Sequence, residues 1–546
     1  MKKKWMKLAA ACLAAALLLP GTVPVQAAPA GEPVLRVGLA YGSSALAAAN
    51  LENSVGSGYR LGYFDGDLSF VELAQTGAAR ISVLKTQNLY LSGGSYSAVQ
   101  SAGAQVIGCY HIRLGVYADL TSAQAAAGAV SGGFPAWIDG NYEARTGAYA
   151  TREEAQAACT AMGLAGEIVG TSSYGVSVVE TGSTRILFQY DGGSAQPFGV
   201  MPDVTGESEP VTWFKGYKYY GGFRYERIGG GDLTVVNVVD MEDYIRCVIT
   251  WEMGASWPKE ALKAQACCAR TYAARNQDRH AAYHFDVCSE VHCQAYHGTQ
   301  NLTANSIQAA SECEGVYIRY GGTLAETVYS SSNGGASESA ENVWNSAVPY
   351  LVGKLDPYEA LVSSRIPNYS WSVTFTAEEL ATKLRAKGYI CGSIVDFRVS
   401  ETTPTGNVKA ITFTDSAGKS WTFRKESART LLGLRSQRYS VTGGGSGGGG
   451  YYVDGGDKLD TIGGCYAISG DGTVGQISSV SSPYVITSSG VSQLTARSGG
   501  GDTYVISGTG YGHNVGMSQY GAMAMAEAGY TYDQILKFYF TGVELS

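Results

Sequence analysis

Apolar and polar positions change period several times along the chain, and each change marks an element. From Arg113, RLGVYADLTSAQAA alternates like a strand, turns, and then carries alanines at helical spacing; RTGAYATREEAQAA repeats this from Arg145. Arg113 matches Arg145, Gly115 matches Gly147, Tyr117 matches Tyr149, and 123–126 match 155–158. Thr121 with Gln124 and Thr151 with Glu154 read as capping boxes that open two helices. AWIDG and GEIVG then supply a strand after each helix. The pattern predicts βαββαβ over 108–171, with both helices on one face of a small sheet.

Elsewhere the signals are of other kinds. Residues 34–105 read as short strands with Gly/Ser turns, a β-rich segment of its own. LTVVNVV (233–239) is an apolar strand, followed by a short amphipathic stretch at 240–248. Pro258 fits the first turn of a helix running to about 276, with Leu262, Ala266, Ala269 and Ala273 on one face. Lys263 and Arg270 share another face, and Gln265 points roughly opposite to Lys263. Near the C-terminus, glycines 508, 510, 512 and 516 form a loop that lets backbone approach a ligand, and a helix follows. Their spacing is not GxGxxG and no βαβ unit surrounds them, which excludes a dinucleotide loop. Residues 441–457 are a Gly/Ser linker, and 451–505 read as a polar, β-rich insertion.

Composition narrows the function. A net charge of −8 argues against a nucleic-acid partner. The 37 tyrosines and 16% charged residues suit surfaces that meet polar, uncharged ligands such as sugars; tyrosines serving sheet packing alone are the competing reading. Residues 1–27 read as a signal peptide: cationic MKKKWMK, the short apolar run LAAACLAAALLL, and VQA before the cleavage point. No later stretch is apolar enough to span a bilayer, so the mature chain is expected outside the cytoplasm. Cys267 and Cys268 lie in the helix and read as small packing residues.

The chemistry gathers in two places. Glu252 lies between Trp251 and Trp257, just ahead of the helix at Pro258. Apolar shielding would raise its pKa and a positive helix end would lower it; a simple capping acid is the alternative. A raised pKa makes a proton donor for a departing glycosidic oxygen. His280, His284, His292 and His297 fall within 18 residues, interleaved with Cys288 and Cys293. Such density of N and S donors suits tetrahedral zinc, while a Cys288–Cys293 disulfide is the competing reading.

Taken together, YIRCVITWEMGASWPKEALKAQACCARTYA, VYSSSNGGASESAENVW and GYGHNVGMSQYGAMAMAEAGYTYDQILKFYF resemble the stage II sporulation protein D and amidase-enhancer family, over about 200–545. The 108–171 repeat resembles a SPOR domain, which implies peptidoglycan binding on its open sheet face. The fold class expected is therefore α+β and multi-domain: the βαββαβ module, then a larger mixed α/β domain over 185–546 with the inserted lobe. The resemblance implies a lytic transglycosylase that cuts peptidoglycan strands lacking stem peptides, or a non-catalytic stimulator of an N-acetylmuramoyl-L-alanine amidase. It assigns the catalytic acid to Glu252 and cleft positions to Lys263, Gln265, Arg270, Ser332, His513 and Gln519. It implies a structural zinc held by Cys288, His292 and Cys293, with His284 or else His280 as fourth ligand. One acid suffices for such a reaction, because the muramic C6 hydroxyl attacks in place of water and leaves a 1,6-anhydro ring.

Overall fold

The computed structural model describes residues 33–444 and 503–546 apart from 54, 204–208 and 345, and within 445–502 only the backbone of six short strands. The signal-peptide reading lies outside the described residues, as do most of the Gly/Ser linker and much of the 451–505 stretch. The fold is mixed α/β, and among the described residues no helix is long and apolar enough to cross a membrane.

The first strand, Val34–Ala40, does not belong to a separate N-terminal unit. It pairs antiparallel with Thr234–Asp240, Val34 opposite Asp240, and parallel with Val287–Cys288. These strands form one edge of a seven-stranded sheet that also takes in Gly222–Glu226, Phe198–Pro202, Tyr59–Phe64 and Phe70–Thr76. Burial on both faces explains the near-continuous apolar run of Thr234–Asp240, where only the last residue is more than slightly exposed.

The repeat folds as its pattern predicts, in the strand order Glu167–Val169, Tyr110–Tyr117, Asn141–Tyr149, Gly133–Ile138. Thr151 and Glu154 cap the second helix reciprocally; the first is capped by Asp119, whose carboxylate accepts from the Ser122 N–H, and not by Thr121. The module is not free-standing. Gly133–Ile138 pairs in parallel with Ile186–Asp191, and its sheet continues through six further strands to Tyr217–Tyr219. The face opposite the helices is closed where His111 and Arg145 lie: both are buried, Arg145 binds Glu143 and Gln189, and Gln189 also meets His111 and Ser177. An open glycan-binding face is therefore not presented at these positions.

Helix Lys259–Arg275 is the hub of the α-layer. Met241–Glu252, Ala304–Glu312, Gln519–Glu527 and Tyr532–Tyr539 all pack on it. All thirteen positions from 261 to 273 are buried but for Lys263, more than the single apolar face read from sequence. Its alanines and cysteines let neighbouring backbones approach closely, and Cys267 and Cys268 are buried thiols in that packing.

A second core lies between the motifs. Leu380, Ile411, Phe413 and Ile506 are fully buried within it, each worth roughly 1.5–3 kcal/mol of transfer free energy. The excursion from the main domain begins at Ser370–Thr376, well before 451. Strand Thr503–Thr509 returns down the middle, pairing with Ser370–Thr376 on one side and Tyr439–Gly443 on the other. It delivers the following loop to the main domain.

Candidate functional site

Glu252 is the last residue of helix Met241–Glu252 and not the entrance of the next one, which begins at Lys259. The nearby helix end is therefore the negative one, which favours the protonated acid. The side chain lines a cleft of about 540 Å³ together with Tyr272, Glu326, Tyr329, Trp344, His513 and others. Burial lifts its pKa above the ordinary carboxyl value, opposed by hydrogen bonds from the Ala295 N–H, Tyr329 and Gln519. The Ala295 N–H lies 2.7 Å from Oε1, and Gln519 Nε2 lies 3.4 Å from Oε2. Neither flanking tryptophan lines the cleft: Trp251 donates to the Gly298 carbonyl and packs on His297, and Trp257 packs on Tyr520. The apolar shield comes from residues distant in sequence.

Behind Glu252 runs a buried polar chain. Tyr244 donates to Gln294 Oε1 (2.9 Å), and Gln294 Nε2 donates to the Tyr329 hydroxyl (3.1 Å), which reaches Glu252. The hydroxyl of Tyr329 must then turn its hydrogen toward the carboxylate.

The wall that carries Tyr329 and Gln519 is built by two loops held together by a buried carboxylate. Tyr329–Ser330 runs parallel to Met517–Ser518. Glu359, fully buried, accepts from the Ser332 hydroxyl and the N–H groups of Asn333 and Gly334 on one loop, and from the Ser518 hydroxyl on the other. Gly512 has φ +132°, and a Cβ there would lie 2.4 Å from that of Ser330. That clearance brings His513 into the cleft. Burial lowers the His513 pKa to about 4, so the ring is neutral at pH 7. Its Nδ1 accepts the Val515 N–H at 3.1 Å, which leaves the hydrogen on Nε2.

The residues implied by resemblance thus separate. Glu252, His513 and Gln519 line the cleft. Gln265 lies behind Gln519, 3.5 Å away, with its own Nε2 buried and unpartnered among the described residues. Ser332 is buried on Glu359, one residue below the cleft-lining Ser330 and Ser331. Lys263 and Arg270 do not line it. Lys263 pairs with Glu260 and Glu312 beside Tyr532, and Arg270 is completely buried against Glu242. Both join helices together. Glu326, Tyr329 and Glu359 escaped the sequence reading; Tyr329 and Glu326 lie just ahead of the SSSNGG stretch, the one signal that could have found them.

Beside the cleft, one ligand atom each from His280, Cys288, His292 and Cys293 falls within 4.8 Å of the others. His280 Nε2 lies 3.4 Å from Cys293 Sγ, and His292 Nδ1 lies 3.7 and 3.5 Å from Cys288 Sγ and Cys293 Sγ. A tetrahedral N₂S₂ zinc site requires edges of about 3.6 Å between N and S, so the donor set fits the ion. His284 is not in the group: its backbone is left-handed (φ 59°), and Nδ1 sits 2.5 Å from Glu226. His280 takes the place assigned first to His284. Tyr41, beyond the first strand, hydrogen-bonds to Cys288. His292 and Cys293 also line the cleft, so this loop is one of its walls.

Residues 229–320 match the family model described as SpoIID, stage II sporulation protein. The amidase enhancer of Bacillus subtilis (strain 168) is 33% identical over 55% of this chain and 40% of its own length. The stage II sporulation proteins D of B. subtilis (strain 168) and Bacillus amyloliquefaciens are 27% and 26% identical, each over 57% of this chain and 75% of theirs. The chain thus spans less than half of the first relative and three quarters of the other two. The Glu252 helix, the His/Cys loop and the hub helix all lie inside 229–320, the segment that matches the SpoIID family model, and the chain as a whole is similar to the stage II sporulation proteins D and the amidase enhancer.

Proposed function

We propose that the protein is an exported peptidoglycan lytic transglycosylase acting on glycan strands stripped of stem peptides, in wall remodelling outside the cytoplasm of a sporulating cell. The observation that carries this reading is Glu252: a carboxyl in a cleft, free of any cationic partner among the described residues, with a raised pKa. Protonated, it gives its hydrogen to the glycosidic oxygen between muramic acid and glucosamine as that bond breaks. As carboxylate, it takes the proton of the muramic C6 hydroxyl while that oxygen closes on C1. Gln519, which donates to Glu252, and the neutral His513 line the cleft beside the acid and shape the place the sugar would take. Zinc, held by His280, Cys288, His292 and Cys293, would fix the wall that carries His292 and Cys293; four protein ligands leave it structural.

Glu326 supplies a second carboxylate to the cleft, the component a hydrolase would use to activate water. Product analysis separates the two chemistries. The full chain incubated with denuded strands should release fragments ending in 1,6-anhydromuramic acid, and Glu252→Gln should lower the rate by roughly 10²–10⁴-fold. Reducing ends would instead mean hydrolysis, and undiminished cleavage by the variant would remove Glu252 from the role.

A second reading rests on the relative named amidase enhancer: a glycan-binding stimulator of an N-acetylmuramoyl-L-alanine amidase. It requires binding without any change in the strands and faster amidase turnover when the chain is added.

A further inference from the structure

The cleft contains one cation, whose charge reaches the Cys293 thiol and the Tyr272 hydroxyl. Among its lining residues Arg279 is the single Lys or Arg, and two of the others, Glu252 and Glu326, are acids. Arg279 follows the hub helix and its cap at Asn276, and it immediately precedes His280 of the metal cluster. One guanidinium nitrogen donates to Asn276 Oδ1 at 2.9 Å; among the described residues Arg279 has no carboxylate partner. The side chain is exposed, and a guanidinium carries four further N–H donors beyond the one given to Asn276.

A glycan strand is uncharged except for the lactyl carboxylate of each muramic acid. That group is an anion only after the stem peptide has been removed; while the peptide is attached it is an amide. A cleft with two acids repels this anion unless a cation answers it. We propose that Arg279 binds the free lactyl carboxylate of the muramic residue in the cleft and thereby selects stripped strands over peptide-bearing ones. The bidentate geometry of a guanidinium suits a carboxylate better than an amide. This rests on the glycan reading of the cleft, and the test separates the two.

The full chain carrying Glu252→Gln, to stop turnover, is titrated calorimetrically with denuded strands and with the same strands after their carboxylates are converted to methylamides. The charged strands should bind about tenfold more tightly. Adding Arg279→Gln should erase that preference and leave the affinity for the methylamide strands unchanged, whereas Arg279→Lys should retain part of it. Equal preference with and without the arginine overturns the assignment while the cleft stays a glycan site. A loss of affinity for both strand forms in Arg279→Gln also overturns it, as a general loss of binding. If neither strand form binds the parent, the glycan reading itself falls.

Discussion

In the proposed reaction Glu252 carries the proton transfers, and its environment fixes two signs. Burial favours the protonated form, so the folded state holds this proton to a higher pH than the unfolded chain does. Between the two pKa values the unfolded state binds fewer protons, and stability falls as pH rises through that window. Glu252→Gln keeps an acceptor for the Ala295 N–H but removes the buried charge. It should melt higher than the parent at pH 8, with the difference vanishing below the ordinary carboxyl range; calorimetric scans across pH check this. In the proposed reaction cleavage needs the protonated acid, so it should fall at alkaline pH through the raised pKa of this group. His513, already neutral above about 4, should contribute no limb near neutrality. If the cluster holds the proposed zinc, His280→Ala should reduce bound zinc from near equimolar to near zero, and His284→Ala should leave it intact, by elemental analysis of purified protein. Sequence density pointed to the cluster and could not choose between histidines four apart. The choice turns on a left-handed residue and on Glu226, from a strand some sixty residues earlier.

At the level of elements, the site is made by backbones that cross without side-chain obstruction. Gly512 is the tightest point. Gly512→Ala adds a Cβ 2.4 Å from Ser330 at φ +132°, and should cost about 1–3 kcal/mol and displace His513, read by chemical denaturation alongside activity. Glu359 knits the two loops through four donors and never touches the cleft. Glu359→Ala leaves those donors unanswered in a buried place and should cost about 3 kcal/mol or more. The glycine loop and the long helix were legible from spacing alone. Lys263 and Arg270 misled because motif membership does not say which face of a helix meets the cleft. Here the hub helix is covered on all sides, and both cations serve helix-to-helix pairing.

Across the whole molecule, the cleft depends on segments that look peripheral. Val34–Ala40 lies between Thr234–Asp240 and Val287–Cys288, so the first described strand braces the wall carrying Cys293. Deleting 34–40 should weaken zinc retention against a chelator as well as stability. The second core acts likewise through Thr503–Thr509. Ile506→Ala, in a fully buried position, should cost about 2–5 kcal/mol and loosen the loop that presents His513 and Gln519. The βαββαβ order of 108–171 was readable because a repeated pattern repeats its physics. Its fusion into a ten-stranded sheet was not, since edge pairing between distant strands leaves no local trace.

In the proposed reaction one carboxyl performs both proton transfers and the sugar's own hydroxyl is the nucleophile. Cleaving denuded strands in water enriched in heavy oxygen tests it most directly, with mass analysis of the new ends. Anhydro ends carrying no label are expected; labelled reducing ends would instead hand the second role to Glu326 and water.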